Sequence, residues 1–169
     1  MRIQIRKGVF ETNSSSEHTI SIVKKSDFDK WKNGELYAQR LTKVTEYEKT
    51  WGNFWSEQNY WSFMKLKKED VDAINAEILG KHIARRIDEL KHYAERDKRE
   101  TAKQYVEEEI AKESSKTYET IGNVDKLYLH MWITYEEYMD ALRNDDCYSP
   151  FEHTDKINNV VVFGKYFHS

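Results

Sequence analysis

The chain has 169 residues, 34 % of them charged, and a net charge of only −3. That near-balance argues against non-specific nucleic-acid binding, which needs a cationic excess to displace counterions from phosphates. The length suits one domain with a core of its own, and a single cysteine, Cys147, excludes an internal disulfide and fits a reducing compartment.

The opening MRIQIRKGVF has no apolar signal-peptide core, and no apolar run approaches about 20 residues. A cytoplasmic protein that stays out of the membrane is expected. Aromatic residues make up 14 % and Pro150 is the one proline, a composition of folded rather than disordered chains.

Arg2 to Arg6 alternates polar and apolar residues as a half-buried strand does, and Thr19 to Ile22 alternates again. Between them lies the polar run Thr12 to Ser16, closed by His18. Ser26 and Asp29 mark a helix start, with Phe28, Trp31 and Leu36 facing inward and Asn33-Gly34 ending it. In the aromatic stretch 46–66, Tyr47, Trp51 and Trp55 follow i, i+4, i+8 and predict one face of a helix. Lys68 to Glu113 is strongly helical, with a break expected at Gly80. Opposite charges recur four apart, as in Arg85–Glu89, Glu95–Arg99 and Arg96–Glu100. Leu127 to Ile133 reads as a buried strand, and Thr134 with Glu137 as a capping box that opens a helix through Leu142. SPFEHTDKINN reads as loop, and Val160 to Phe163 as the closing strand. The expected fold is α+β: a small, mostly antiparallel sheet of N- and C-terminal strands. Residues 1–40 and 120–169 form this scaffold within a single domain, and residues 41–119 form a long helical insertion.

Two constellations stand out as candidate sites. Asn13, Ser14, Ser15, Ser16 and His18 can turn the backbone, and successive amides in such a turn can converge on an anion. A histidine near serines also permits nucleophilic catalysis, but no carboxylate is selected to orient it. A structural turn or partner contact ranks first here, ligand binding second and catalysis third. The second constellation is a candidate partner-binding surface: Arg85, Arg86, Arg96, Arg99 and Lys103 on the long helix, with Trp51 and Trp55. No metal site is expected, because His82 and His92 diverge on a helix and Cys147, His153 and Asp155 match no ligand spacing. No cofactor-binding motif is present either: the chain has no glycine-rich phosphate loop, GxSxG elbow or HExxH.

RKGVFETNSSSEHTISI resembles the start of small uncharacterised bacteriophage and prophage proteins, which open with a VFETNSSSxHSI-like segment. The resemblance continues in WKNGELY at Trp31 to Tyr37, in ITYEEYMDAL and in NNVVVFGKYF, and it misses roughly Leu41 to Thr120. Thr19 stands where the family has serine. The resemblance implies a protein delivered by a phage or mobile element into the cytoplasm of a bacterial host cell. In that setting the expected role is a stoichiometric inhibitor of a host protein, for example an anti-CRISPR-like inhibitor of a nucleoprotein defence complex. Its contact surface would be the helical arm from Leu66 to Ser114. The alternative is a nucleotide-handling enzyme or a sponge for a nucleotide signal, built around Asn13 to His18. The helical stripe suits either an intramolecular hairpin or a homodimer.

Overall fold

The computed structural model describes residues 19–49, 52–144 and 148–167. In chain order the elements are β1 (Thr19–Lys24), α1 (Lys25–Lys32), β2 (Tyr37–Lys49), β3 (Gly52–Met64), α2 (Lys68–Arg96), α3 (Glu100–Ser114), α4 (Asn123–Tyr128), β4 (Trp132–Ile133), α5 (Tyr135–Arg143), β5 (Tyr148–Asp155) and β6 (Val160–Phe167). Two antiparallel sheets result, one ordered β1-β6-β5 and the other β3-β2-β4. The fold class is α+β.

The first sheet joins the two ends of the described chain, as the alternation at Thr19–Ile22 and the β-branched run at Val160 predict. Ser21 lies opposite Phe163, and Thr19 opposite Lys165. Strand alternation therefore places Ser21, Val161, Phe163 and Lys165 on one face. Val161 and Phe163 on that face are buried.

Helix α1 starts one residue before the expected Ser26, with Lys24 at the cap position and no side-chain cap. The carbonyl of Asn159, in the β5–β6 turn, takes the amide of Lys25 instead (3.0 Å). Its other end follows expectation. Gly34 adopts φ +79°, and the Glu35 and Gly34 amides bond back to the Lys30 and Trp31 carbonyls, a Schellman end that favours glycine. Phe28 and Trp31 are buried as predicted.

Residues 46–49 and 52–64 of the aromatic stretch are strand, not helix. β2 and β3 form a 13-residue ladder from Tyr37↔Met64 to Lys49↔Gly52. A spacing of four is a multiple of the strand period as well as close to the helix period, so Tyr47, Trp51 and Trp55 satisfied both patterns. The density of Thr, Val, Tyr, Trp and Phe decides for the strand. The boundary drawn at Leu41 falls inside β2, and the helical insertion begins only at Lys68.

Helix α2 runs through Gly80, where the expected break does not occur; a side chain there would meet open space. The break lies at Asp97–Arg99. There the Asp97 carboxylate accepts from the Arg99 amide (3.2 Å) and from the Arg99 guanidinium, a local bond that competes with helix continuation. Arg99 is thereby engaged by Asp97 rather than Glu95.

Residues 127–133 form the end of α4 and a two-residue strand rather than one long strand. The helix closes with His130 in the left-handed region (φ 58°), its amide bonding to the Leu127 carbonyl and that of Met131 to Lys126. His130 Nδ1 lies 2.7 Å from the Arg40 carbonyl, which requires the proton on Nδ1. The capping box forms as predicted: Glu137 N donates to Thr134 Oγ1 (3.1 Å) and Thr134 N to Glu137 Oε2 (2.9 Å). SPFEHTD is strand β5, not loop. It is a sheet edge, where Pro150 lacks an amide at little cost. Asp155 then organises the turn by accepting from the amides of Ile157 (2.9 Å) and Asn158 (3.1 Å).

The core centres on Trp31, Phe28 and Phe163, with Trp61 and Phe63 packed against them. Asn75 of α2, fully buried, docks the long helix onto β4. Its Nδ2 donates to the Trp132 carbonyl (2.8 Å) and its Oδ1 accepts from the Trp132 amide (2.9 Å), as a neighbouring strand would. Lys32, Glu152 and Tyr135 strap α1, β5 and α5 together at 2.9 and 3.1 Å, and the bond to Glu152 raises the Lys32 pKa. Asn75→Ala leaves two buried backbone groups without partners. It is expected to destabilise the protein by about 2–4 kcal/mol in denaturant titration. A change below about 0.5 kcal/mol would show that the docking contributes little.

Candidate functional site

Asn13, Ser14, Ser15, Ser16 and His18 lie outside the described residues, as do Arg2–Arg6, Trp51 and Cys147. Trp55 lies in β3 with its backbone opposite Glu46. Arg85, Arg86 and Arg96 lie on α2, Lys103 lies on α3, and Arg99 lies in the connection between the helices.

The structure packs α2 and α3, joined by three residues, against each other, and Leu90, Ala102 and Val106 are buried. The charges of the pair are largely answered locally. Arg85 and Arg86 face Glu89 (3.8 and 3.3 Å), Lys103 faces Glu100 (3.6 Å), and Arg99 forks onto Asp97 (Nε 2.9 Å, Nη2 2.5 Å). The Arg99 guanidinium holds the Asp97 carboxyl down to about 2. The expected basic stripe is therefore a lattice of local ion pairs. Tyrosine accompanies it: Tyr93 is 40 % and Tyr105 50 % exposed, both within about two turns of the Asp97–Arg99 connection. Periodicity sets Tyr105 beside Val106 on the apolar stripe of α3, yet its ring is half-exposed; Tyr93 stands outside that reading.

A second feature lies between the sheets, under α4 and α5. Ser21, Arg40, Trp61, Tyr128, Tyr138 and Lys165 line a cavity of about 30 Å³. Arg40 lies opposite Trp61 in the β2–β3 ladder and shares the inward face of β2 with buried Ala38. Its Nη2 makes a long 3.5 Å bond to the Leu127 carbonyl, and its guanidinium stacks on the Tyr128 ring at 5.4 Å. Its Nε is buried with no hydrogen-bond partner among the described residues. Burial lowers the Arg40 pKa from the ordinary arginine value, and the Tyr128 and Tyr138 phenols partly offset this. Burial also raises the Tyr138 phenol. Ser21 Oγ accepts the Trp61 indole N–H at 2.8 Å.

Sequence reasoning missed Arg40 and Lys165, although a signal was present. Both occupy core-face positions of their strands, in step with Ala38 on one and with Val161 and Phe163 on the other. A cation at an inward position breaks the binary pattern, and such breaks concentrate at functional sites.

Among the described residues, no group of three His, Cys, Asp or Glu side chains is placed to hold a metal ion. No helix among them is long and apolar enough to cross a membrane. No protein-family model, curated protein or solved structure matches this chain.

Removing a buried charge that lacks a carboxylate partner among the described residues relieves its desolvation. Arg40→Met is therefore expected to raise stability by about 1 kcal/mol or more, seen as a melting temperature a few degrees higher. A lower melting temperature would show that stacking on Tyr128 outweighs the desolvated charge.

Proposed function

We propose that this protein acts by binding another protein through the outer surface of α2 and α3. The observation that carries the proposal is the pairing of half-exposed Tyr93 and Tyr105 with a run of exposed arginines on one helical pair. Tyrosine and arginine are the residue types that dominate interface hot spots, because each offers a large, stiff contact area with a polar tip. The local ion pairs support the same reading. They orient Arg85, Arg86 and Arg99 before binding, so less side-chain entropy is lost on contact. Helix α2, 29 residues and roughly 44 Å long, offers the length for a standard interface of about 800 Å² per partner.

The partner class follows from the phage-like ends of the chain. In a bacterial host cytoplasm, a stoichiometric binder acts by occupying a host protein, and a component of a nucleoprotein defence complex is the target we favour. Such a target presents acidic and apolar surface to the helical pair, and nucleic acid plays no direct part.

Tyr93→Ser combined with Tyr105→Ser is expected to weaken capture of the partner from host lysate at least tenfold. Charge reversal of Arg85, Arg86, Arg96 and Arg99 is expected to weaken it too. Both variants are expected to keep a cooperative melt near that of the unaltered chain, since exposed ion pairs screened by solvent contribute little to stability. Undiminished capture by both variants rejects this surface.

A further inference from the structure

We propose that this chain forms a homodimer in which residues 52–60 of β3 pair antiparallel with the same residues of a second copy. The interface is separate from the α2–α3 surface and does not depend on it.

Three observations carry the inference. First, the β2–β3 ladder outruns its sheet. It pairs 13 residues a side without a bulge, whereas β4 pairs only with Ala38 and Gln39. Near its C-terminal end β3 is tied to β1 by the Trp61–Ser21 bond. Among the described residues, 41–49 and 52–60 therefore run on as a two-stranded ribbon. Two strands alone are marginal in water, and a third supplies what the ribbon lacks.

Second, the two edges of the ribbon differ. Over 41–49, β2 carries Lys43, Glu46, Glu48 and Lys49, charges that discourage the addition of a strand. β5, an edge of the other sheet, carries Pro150. Residues 52–60 have neither proline nor lysine, and Glu57 is their one charged residue. Among the described residues β3 forms a ladder with β2 alone, so a row of its amides and carbonyls stays open to another strand.

Third, the segment complements itself. A two-fold axis through Ser56 makes the pairing antiparallel and isologous. In that register Glu57 falls opposite Trp55, so no two carboxylates face each other, and Asn53 falls opposite Asn59. Gly52 falls opposite Tyr60, whose ring is 49 % exposed in the single chain and can cover the glycine. An unrelated strand has no reason to match these positions, which is why a second copy is the occupant. The result is one continuous sheet ordered β4-β2-β3-β3-β2-β4.

Sedimentation equilibrium under reducing conditions, which prevent a Cys147 crosslink, tests the dimer. At about 100 µM chain, well above a micromolar dissociation constant, the unaltered protein is expected at twice its chain mass of 20.3 kDa. Ser56→Lys and Ser56→Glu each set like charges opposite one another across the axis, and each variant is expected at the single-chain mass. Mixed in equal amounts, they are expected to recover the double mass, because lysine then faces glutamate. A single-chain mass for the unaltered protein overturns the proposal, and that result needs no variant to fold. Double mass retained by each variant alone also overturns it, since the copies then meet elsewhere. So does a mixture that stays at the single-chain mass while both variants melt cooperatively.

Discussion

The fold depends on one side chain, Trp31. Fully buried, it meets Phe28, Trp61, Phe63, Tyr135, Tyr138 and Phe163 at centroid distances of 5.2 to 6.0 Å. Those rings come from α1, β3, α5 and β6, so both sheets and a covering helix converge on one indole. Its N–H donates to the Ile133 carbonyl of β4 at 3.1 Å, which fixes the ring's rotation as well as its position. Edge-on and tilted ring pairs add about 0.5–1.5 kcal/mol each beyond the area they bury, and they constrain angle where aliphatic contacts do not. A second indole repeats the device: Trp61 donates to Ser21 and ties β3 to β1. With the sheets locked in this way, the space left between them has a defined shape, and Arg40 and Lys165 border it.

How much of this was legible in the sequence depends on whether the deciding force was local. The Thr134–Glu137 capping box, the Gly34 helix end and the β1 and β6 strands appear where local chemistry places them. The failures occurred where one pattern fits two structures. The spacing of Tyr47, Trp51 and Trp55 suits a helix and a strand alike, and the β-branched and aromatic composition together with the β2–β3 pairing decides. SPFEHTD has weak strand propensity, and β6 recruits it as an edge through a turn organised by Asp155. His130 shows the reverse case, a residue inside an apparent apolar strand whose left-handed backbone ends α4.

The two candidate sites differ in the same respect. The helical charges were visible from sequence, yet their mutual neutralisation needed the side-chain geometry to be seen. The inward cations left a trace as breaks in the binary pattern, but the sequence did not show which face of each strand turns inward. Buried Asn75 belongs to the same class: a polar residue on the apolar stripe of a long helix, explained only by the edge of β4 that it completes. Together they describe a rigid centre that holds a small polar cavity, and a helical pair docked on it whose outer surface remains open to a partner.

Hydrogen–deuterium exchange on the free chain and on the complex proposed for it with a host protein is the decisive measurement for the α2–α3 surface. Protection confined to α2 and α3, strongest in the peptides that contain Tyr93 and Tyr105, is the predicted result. Protection concentrated instead on β1, β6 or the β5–β6 turn, with the helical pair exchanging as in the free chain, would contradict the account.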